Sequence, residues 1–586
     1  MRRHVPLFAV ALLATFAWYV AWRTLGGDAP LHGYTVNGLI SLSLNEGPVY
    51  AAVTMIQALV VPAIALSLAR AKLSERLRPL LDRPVALAVI LGLFAVQVAL
   101  ALAFGPLDRH PITDDESAIV FQSKLVAAGM LSSPAPPFPA SFAAPFLVFE
   151  GVQPAGHWTG AFEWAQPTLL ALFGRLRFLV APIELLVAIV FGATAAGEMA
   201  ARDDGPGDAR ATFAAAGLLA TSPALLLTAA TMHEASLGAM CGAIVVWAIA
   251  RLRRRASVGA IVALGLALAV GANARWFDLT LLFAGSIIWL FLPSEVSISK
   301  KTRSLLLALL TASPGILGSL AIHRRLFGRA LATGLDAFHA QEGTHTFGLR
   351  AGTHHGVHDA STAAFKAFTS LTHLSMYATG CAWVFVIVLP GLTGVFSDSA
   401  RVRSKWTGPI VVVLTYVVGY CAWAGIQQTV TGPINYLALV PLLVAWVSAA
   451  AVDLHDRLAP WPSSRDWMPG LVFASALASL AFFWPSNIVE TVRVGEASEF
   501  CERTARRHHI DEGVVFVDLP AGNWAQTWIA TPPTPTPFFD DRLLYVWSRG
   551  YDRDAELAAR IAHGRPLFAS TCLLAATPFW SGYDPV

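Results

Sequence analysis

The sequence predicts an α-helical polytopic membrane protein with about thirteen transmembrane helices, a large first extracytoplasmic loop and a small extracytoplasmic α/β domain at the C-terminal end. Three observations predict it. Of 586 residues, 55% are hydrophobic and only 13% are charged, about half the charged share of a soluble protein. The apolar residues fall in repeated runs of roughly 17–25, long enough to cross a bilayer as helices. Lys and Arg gather in short loops between alternate pairs of those runs, the pattern of cytoplasmic loops. The net charge of +3 is small and the basic residues sit in short clusters between apolar runs, so nothing indicates nucleic-acid binding.

In chain order the candidate spans are 5–25, 49–69, 84–104, 167–197, 211–230, 234–252, 257–274, 278–294, 304–323, 373–397, 408–427, 433–452 and 467–485. The first follows the basic start MRRH. Its apolar part is long, contains Trp18 and Trp22, and lacks a small-x-small cleavage site, so it reads as a retained span rather than a signal peptide. The fourth is long enough to be tilted. Orientation follows from the basic clusters. Arg70, Lys72, Arg76, Arg78 and Arg83 separate the second and third spans. Arg251, Arg253, Arg254 and Arg255 follow the sixth, Lys300, Lys301 and Arg303 the eighth, and Arg401, Arg403 and Lys405 the tenth. Every cluster follows an even-numbered span, so all share one side if the N-terminus is cytoplasmic. A single missed helix would split them between two sides.

This divides the chain into N-terminal membrane helices (1–104), an extracytoplasmic loop with amphipathic helices (105–166), a membrane core (167–323), a His-rich extracytoplasmic loop (324–372), C-terminal membrane helices (373–485) and an extracytoplasmic α/β domain (486–586). In the last, Glu496–His508 and Asp554–His563 have helical spacing, while Gly513–Leu519, Leu543–Trp547 and Pro566–Leu574 read as strands. The run TPPTPTP at 531–537 is a stiff connector. The chain has five cysteines. Cys241, Cys381 and Cys421 lie in apolar runs as small packing residues. Cys501 and Cys572 lie in the polar C-terminal segment, where an oxidising compartment would allow them to pair.

The first loop carries the chemistry-bearing stretch, His110–Leu131 (HPITDDESAIVFQSKLVAAGML). Asp114, Asp115 and Glu116 open an amphipathic helix just beyond a span. As a helix start they suit capping by Thr113 or Asp114 and the positive end of the helix dipole. As acids beside a membrane they are costly unless paired or hydrated, and one of them could take a proton from an acceptor hydroxyl. A capping position also holds a base rigidly, so the two readings are compatible. Farther along the same loop, Phe142–Phe149 is strongly apolar and suits the membrane interface or the cover of a cavity.

The stretch TDDESAIVFQSKLVAAGML resembles the first-loop signature of bacterial GT-C membrane glycosyltransferases, the superfamily of protein O-mannosyltransferases and lipid A aminoarabinose transferases. Asp115–Glu116 matches the family's Asp-Glu pair, with Phe121, Ala127, Ala128 and Gly129 in register. GHWTGAFEWAQPTLLALFG at 156–174 resembles the approach to the next span, but only Gln166–Pro167 stands where the family has a Lys or Tyr before two prolines. ATMHEASLGAM at 230–240, GLALAVGANARWFDLTLL at 265–282 and GPINYLALVPLL at 432–443 resemble later elements, with His233, Arg275 and Asn435 at the matching positions. The resemblance runs in order over roughly 105–450. It implies a GT-C-like fold in a bacterial inner membrane and transfer of a sugar from a polyprenyl-phosphate donor to a lipid, glycan or protein acceptor. Asp115 would be the base, with Glu116 or Asp114 assisting.

The topology puts His233 and Arg275 at the outer ends of spans, with Arg324 and Arg325 just past the ninth, where they could hold the donor phosphate. Arginines at helix ends also reach lipid headgroups without further function. The loop 324–372 holds His339, His345, His354, His355 and His358. His354 and His358 have a usable metal-ligand spacing, but Gly352 and Gly356 oppose a helix there, and no Glu completes a metalloprotease motif. Substrate contact or a polar lid is the expectation, with no metal assigned. No cofactor is called for by the residues, and a divalent cation stays open. A polyprenyl-linked glycan transporter or flippase, and a non-catalytic membrane scaffold on the same fold, are the alternatives. Polar residues collect on the outer face and the middles of the spans are nearly free of charge, which favours surface chemistry over transport.

Overall fold

Apolar length decides most of the architecture. The structure, a computed structural model, describes residues 82–570 apart from 106, 108–110, 145, 151–155, 202–206, 346, 350, 354–355, 381–392, 397–398, 424–432, 458–466, 518–532 and parts of 485–498. The expected spans 5–25 and 49–69, and the expectations for His354, Cys381 and Cys572, fall outside these residues.

Helix α1 (Pro84–Phe104) matches its apolar run and ends at Gly105. Past Thr113 comes α2 (Asp114–Ala127), the acid-bearing helix. Strands β1 (Ser133–Pro134), β2 (Leu147–Glu150) and β3 (His157–Gly160) then form a small antiparallel sheet in the order β1-β3-β2. The long fourth span is α3 (Ala165–Phe173), a 3₁₀ turn at Gly174–Leu179 and α4 (Val180–Ala200). Gly174 has a φ of +54°, a conformation that glycine adopts without steric cost. The fifth is α5 (Ala209–Ala220) and α6 (Pro223–Ala229), bent by 54°. Pro223, lacking an N–H to continue α5, sits at the break. Helices α7 (Ala235–Arg254), α8 (Val258–Ala272), α9 (Trp276–Phe291) and α10 (Ile298–Phe327) follow. The second loop contains α11 (Gly334–Gln341) and the hairpin β4–β5 (Ala351–Thr353, Gly356–His358). Helix α12 (Ala360–Thr379) begins well before the expected boundary near 373. Helix α13 (Ala400–Tyr420), a 3₁₀ turn at Ile434–Leu439, α14 (Val440–Arg457) and α15 (Trp467–Ala478) complete the membrane part.

Among the described residues five helical stretches are long and apolar enough to cross a membrane, or six if the bent pair is one span. The chain is a multi-pass membrane protein. Each described apolar run taken as a span lies on a helix, but several are too short or too interrupted to count as spans alone.

Charged side chains tie the helix ends together on one face. Arg253 donates to the carbonyls of Trp289, Leu292 and Pro293 and to Ser404 Oγ, gathering the ends of α7 and α9 and the start of α13. Arg251 and Arg254 pair with Glu198 on α4, and Arg210 pairs with Asp456 on α14 at 2.8 Å. These clusters lie at one end of α7. The acids of α2 meet its other end, about 30 Å away for a 20-residue helix.

The C-terminal unit has the expected elements: α16 (Phe500–Arg507), β6 (Gly513–Val517), β7 (Leu543–Trp547), α17 (Tyr551–Ile561) and β8 (Leu567–Ser570). Its sheet is parallel, in the order β7-β6-β8. Every residue of β6 is buried, as a central parallel strand requires. The unit shares a core with the first loop: Phe121, Phe142 and Trp158 pack in one cluster with Val514, Leu544 and Leu557. Of the apolar stretch Phe142–Phe149, expected at the membrane interface or over a cavity, Phe142 turns into this protein core, against Trp158 at 5.9 Å and Phe539 at 5.0 Å.

Close backbone approach between helices needs glycine at a few positions. A Cβ on Gly242 of α7 would run into the Ala438 carbonyl. Gly242→Val is expected to cost on the order of 1–3 kcal/mol, read as a lowered thermal midpoint in detergent, whereas Val at the uncrowded Gly217 shifts it much less.

Candidate active site

The site is built where α2 meets the start of α7. Thr113 caps α2: its Oγ1 accepts the Glu116 N–H at 3.3 Å. The cap fixes the first turn, and the three acids leave it in different directions. Asp115 Oδ2 lies 2.9 Å from His233 Nε2. The ring's other nitrogen, Nδ1, accepts the N–H of Ala235 at 3.0 Å. An acceptor at Nδ1 places the hydrogen on Nε2, so His233 donates to the Asp115 carboxylate. His233 is 2% exposed, and Thr231 and Ala235 on either side hold its backbone and ring.

Glu116 reaches the residue just before His233 and is 1% exposed. Its carboxyl accepts from the N–H groups of Ile112 at 3.3 Å and Met232 at 3.4 Å, contacts at the long end of the hydrogen-bond range. Burial outweighs them and pushes the Glu116 carboxyl up to about 8. Asp114 accepts from the Asp115 N–H at 3.0 Å, and its Oδ2 is buried without a hydrogen-bond partner among the described residues. Burial, and then the Asp115 charge, raise the Asp114 carboxyl as well.

Arg275 was expected to hold phosphate; its guanidinium sits in a buried network. Nε donates to Asp278, Nη1 to Glu234 Oε1 at 3.3 Å, and Nη2 to Asn435 Oδ1 at 2.5 Å. Tyr420 donates to the other oxygen of Asp278, and Tyr416 to the Asn435 carbonyl at 2.7 Å. The network joins α7, α9, α13 and the 434–439 turn. Gly238 leaves room for it, since a Cβ there would come within 2.9 Å of Arg275 Cδ. Arg324 and Arg325 are exposed in the last turn of α10. His358 is buried and its Nε2 meets the Cys421 carbonyl at 3.0 Å. Cys501 is buried in the core of the C-terminal unit.

The structure thus brings together Asp114, Asp115, Glu116 and His233, with Arg275 one residue beyond through Glu234. Arg324, Arg325 and His358 are not part of that cluster. Sequence reasoning missed a second acid–imidazole pair. Glu163 Oε2 lies 2.9 Å from His323 Nε2, joining the first loop to α10; burial raises the Glu163 carboxyl, against the opposing effect of His323. It also missed Glu184, which receives the Ser236 hydroxyl at 2.5 Å, while Ser236 also donates to the His233 carbonyl at 3.0 Å. The available signal was an ionisable residue inside an otherwise apolar window. Gln166, which stands in the altered motif, is fully buried, and its side-chain amide lies beside the Glu184 carboxyl. Among the described residues no group of three His, Cys, Asp or Glu side chains converges on a possible metal position.

No family model and no curated protein matches the chain. Among solved structures, it is similar to ArnT from Cupriavidus metallidurans bound to undecaprenyl phosphate, at 13% identity and a TM-score of 0.47, over 81% of this chain and 89% of that one. It is also similar to the oligosaccharyltransferase of Archaeoglobus fulgidus tethered with an acceptor peptide, at 10% identity and a TM-score of 0.44, over 82% of this chain and 68% of that one. Likeness at this level leaves the chemistry to be argued from the chain's own residues.

The raised Glu116 carboxyl gives a signed pH dependence. Between its ordinary value of 4.5 and about 8, the folded protein keeps a proton that the unfolded chain has released. Stability therefore falls as pH rises through that window and is flat above it. Glu116→Gln removes this slope. Thermal midpoints measured between about pH 5 and about pH 8.5 are expected to fall less in the variant than in the parent; parallel curves would contradict the assignment.

Proposed function

We propose that the protein is an integral membrane glycosyltransferase that moves a sugar from a polyprenyl-phosphate donor to an extracytoplasmic acceptor hydroxyl. The observation that carries this reading is the Asp115–His233 pair at 2.9 Å, at the end of α7 opposite its arginines. With the basic clusters on the cytoplasmic side, the pair faces out, at the depth where a lipid-linked sugar phosphate lies.

Asp115 is the catalytic base. His233 Nε2–H engages Oδ2, which leaves Oδ1 to accept the proton of the acceptor hydroxyl. The acceptor oxygen bonds to the anomeric carbon as the bond from that carbon to the donor phosphate breaks. The transition state resembles an oxocarbenium ion, and direct displacement inverts the anomeric centre. His233 is a positioning residue: because its Nδ1 is occupied by the Ala235 N–H, its Nε2–H holds the Asp115 carboxylate in place. Glu116, pushed up to about 8, is protonated near neutral pH and keeps a second negative charge away from Asp115. Burial and the Asp115 charge raise the Asp114 carboxyl in the same direction. The donor phosphate would be met by the N–H groups of Arg275 that Glu234, Asp278 and Asn435 leave unused, with the exposed Arg324 and Arg325 drawing in the anionic headgroup.

In proteoliposomes supplied with a radiolabelled polyprenyl-phosphate sugar, Asp115→Asn is expected to lower transfer by about 10²–10⁴-fold. His233→Ala is expected to lower it by roughly tenfold to a hundredfold, as for one lost hydrogen bond to a charged group. Undiminished transfer by an Asp115→Asn protein that inserts normally would overturn the reading.

A further inference from the structure

The connector that leads into the C-terminal unit lies along the acid-bearing helix. Thr534 makes two contacts with α2. Its carbonyl accepts from Lys124 Nζ at 2.5 Å, and its hydroxyl donates to the Ser117 carbonyl at 3.3 Å. Residues 117 and 124 are about two turns apart and share a face of the helix. Asp115 stands about 200° around the helix from Ser117, at roughly 100° per residue. The helix is therefore gripped on opposite sides: His233 holds the inner face and Thr534 the outer.

The connector is itself fixed. The Thr536 N–H donates to Asp541 Oδ2 at 2.5 Å, and Arg565 binds the carbonyls of Asp541 at 2.6 Å and Phe539 at 3.1 Å. Lys124 is half-buried beneath the connector. Burial lowers the pKa of its ammonium group, while the nearby Asp541, Glu502 and Asp540 act in the opposite direction. What lysine supplies is a directed bond to one carbonyl. Docking of the unit has independent support, since Trp547 Nε1 donates to the Ala143 carbonyl at 2.7 Å and Phe539 stacks on Trp158 at 6.0 Å.

We propose that the C-terminal unit, through Thr534 on Lys124 and Ser117, is the positioning partner of the acid-bearing helix and sets where Asp115 stands. The effect on turnover rests on the glycosyltransferase reading; the grip on the helix does not. The test uses the full chain in liposomes, with Lys124→Met, Thr534→Val and the conservative Thr534→Ser. Two readouts are needed: amide hydrogen exchange across α2 and β6, and kcat and KM for a polyprenyl-phosphate sugar donor. Expected results are exchange in α2 faster by about tenfold in Lys124→Met and Thr534→Val with β6 unchanged, kcat lower by about tenfold at unchanged donor KM, and Thr534→Ser close to the parent. Unchanged exchange in both variants would overturn the proposal. So would faster exchange at full kcat, which leaves the contact structural only. If the parent transfers no sugar, the glycosyltransferase reading fails on its own, and exchange in α2 still decides whether Thr534 holds the helix.

Discussion

The hydrogen bond from His233 to Asp115 is the constraint on which the site depends. It joins residues 118 apart in sequence, one on a loop helix and the other just before the buried helix α7. A carboxylate at the edge of a membrane span is tolerated only when something receives its charge. Here the receiver is an imidazole whose other nitrogen is occupied by the backbone, so the ring can only donate. That fixes both tautomer and orientation without a second acid behind the histidine. The neighbouring Glu116 and Asp114 accept from backbone N–H groups, and burial outweighs those contacts and raises both carboxyls. Three consecutive carboxyls thereby acquire different roles from their surroundings alone, the way enzymes usually separate acids that are chemically alike.

The sequence made the spans legible because bilayer thickness sets their length and little else competes. Pro84–Phe104 and Ala235–Arg254 follow their apolar runs closely. The basic clusters were equally legible. The structure shows why they work as ties: Arg253 closes carbonyls at the end of α9, and Arg251 and Arg254 share Glu198. The first loop was harder. Its strands β1 to β3 are two to four residues long, too short for alternation to show. Their stability comes from Trp158 packing between Phe121 and Phe149, a tertiary fact with no local signature.

The candidate site was legible in part for the same reason. Asp115 and its neighbours stand out as adjacent acids after an apolar run, and the Thr113 cap could be read directly. The partners could not be paired from sequence. Glu163 and His323 are 160 residues apart, as are Arg275 and Asn435. Only the packing of alternate helix ends onto one face brings them together. Lys124 was hidden differently: it reads as the polar side of an amphipathic helix, and only the returning connector buries it.

Arg275 shows how far a buried charge network reshapes a single-residue expectation. An arginine at the outer end of a span suits a phosphate when it stands alone. Here Asp278 and Glu234 face the same guanidinium, so the positive charge is already balanced before any ligand arrives. A phosphate placed beside them would be repelled by two carboxylates unless one of them takes a proton or turns away. Glu234 is the candidate to yield, because its contact at 3.3 Å is long and its Oε2 has no partner among the described residues, whereas Asp278 is held by both Arg275 and Tyr420. Glu234 directly follows His233, the residue that holds Asp115. Under the proposed reaction, the donor phosphate and the base would thus meet two adjacent residues just before α7.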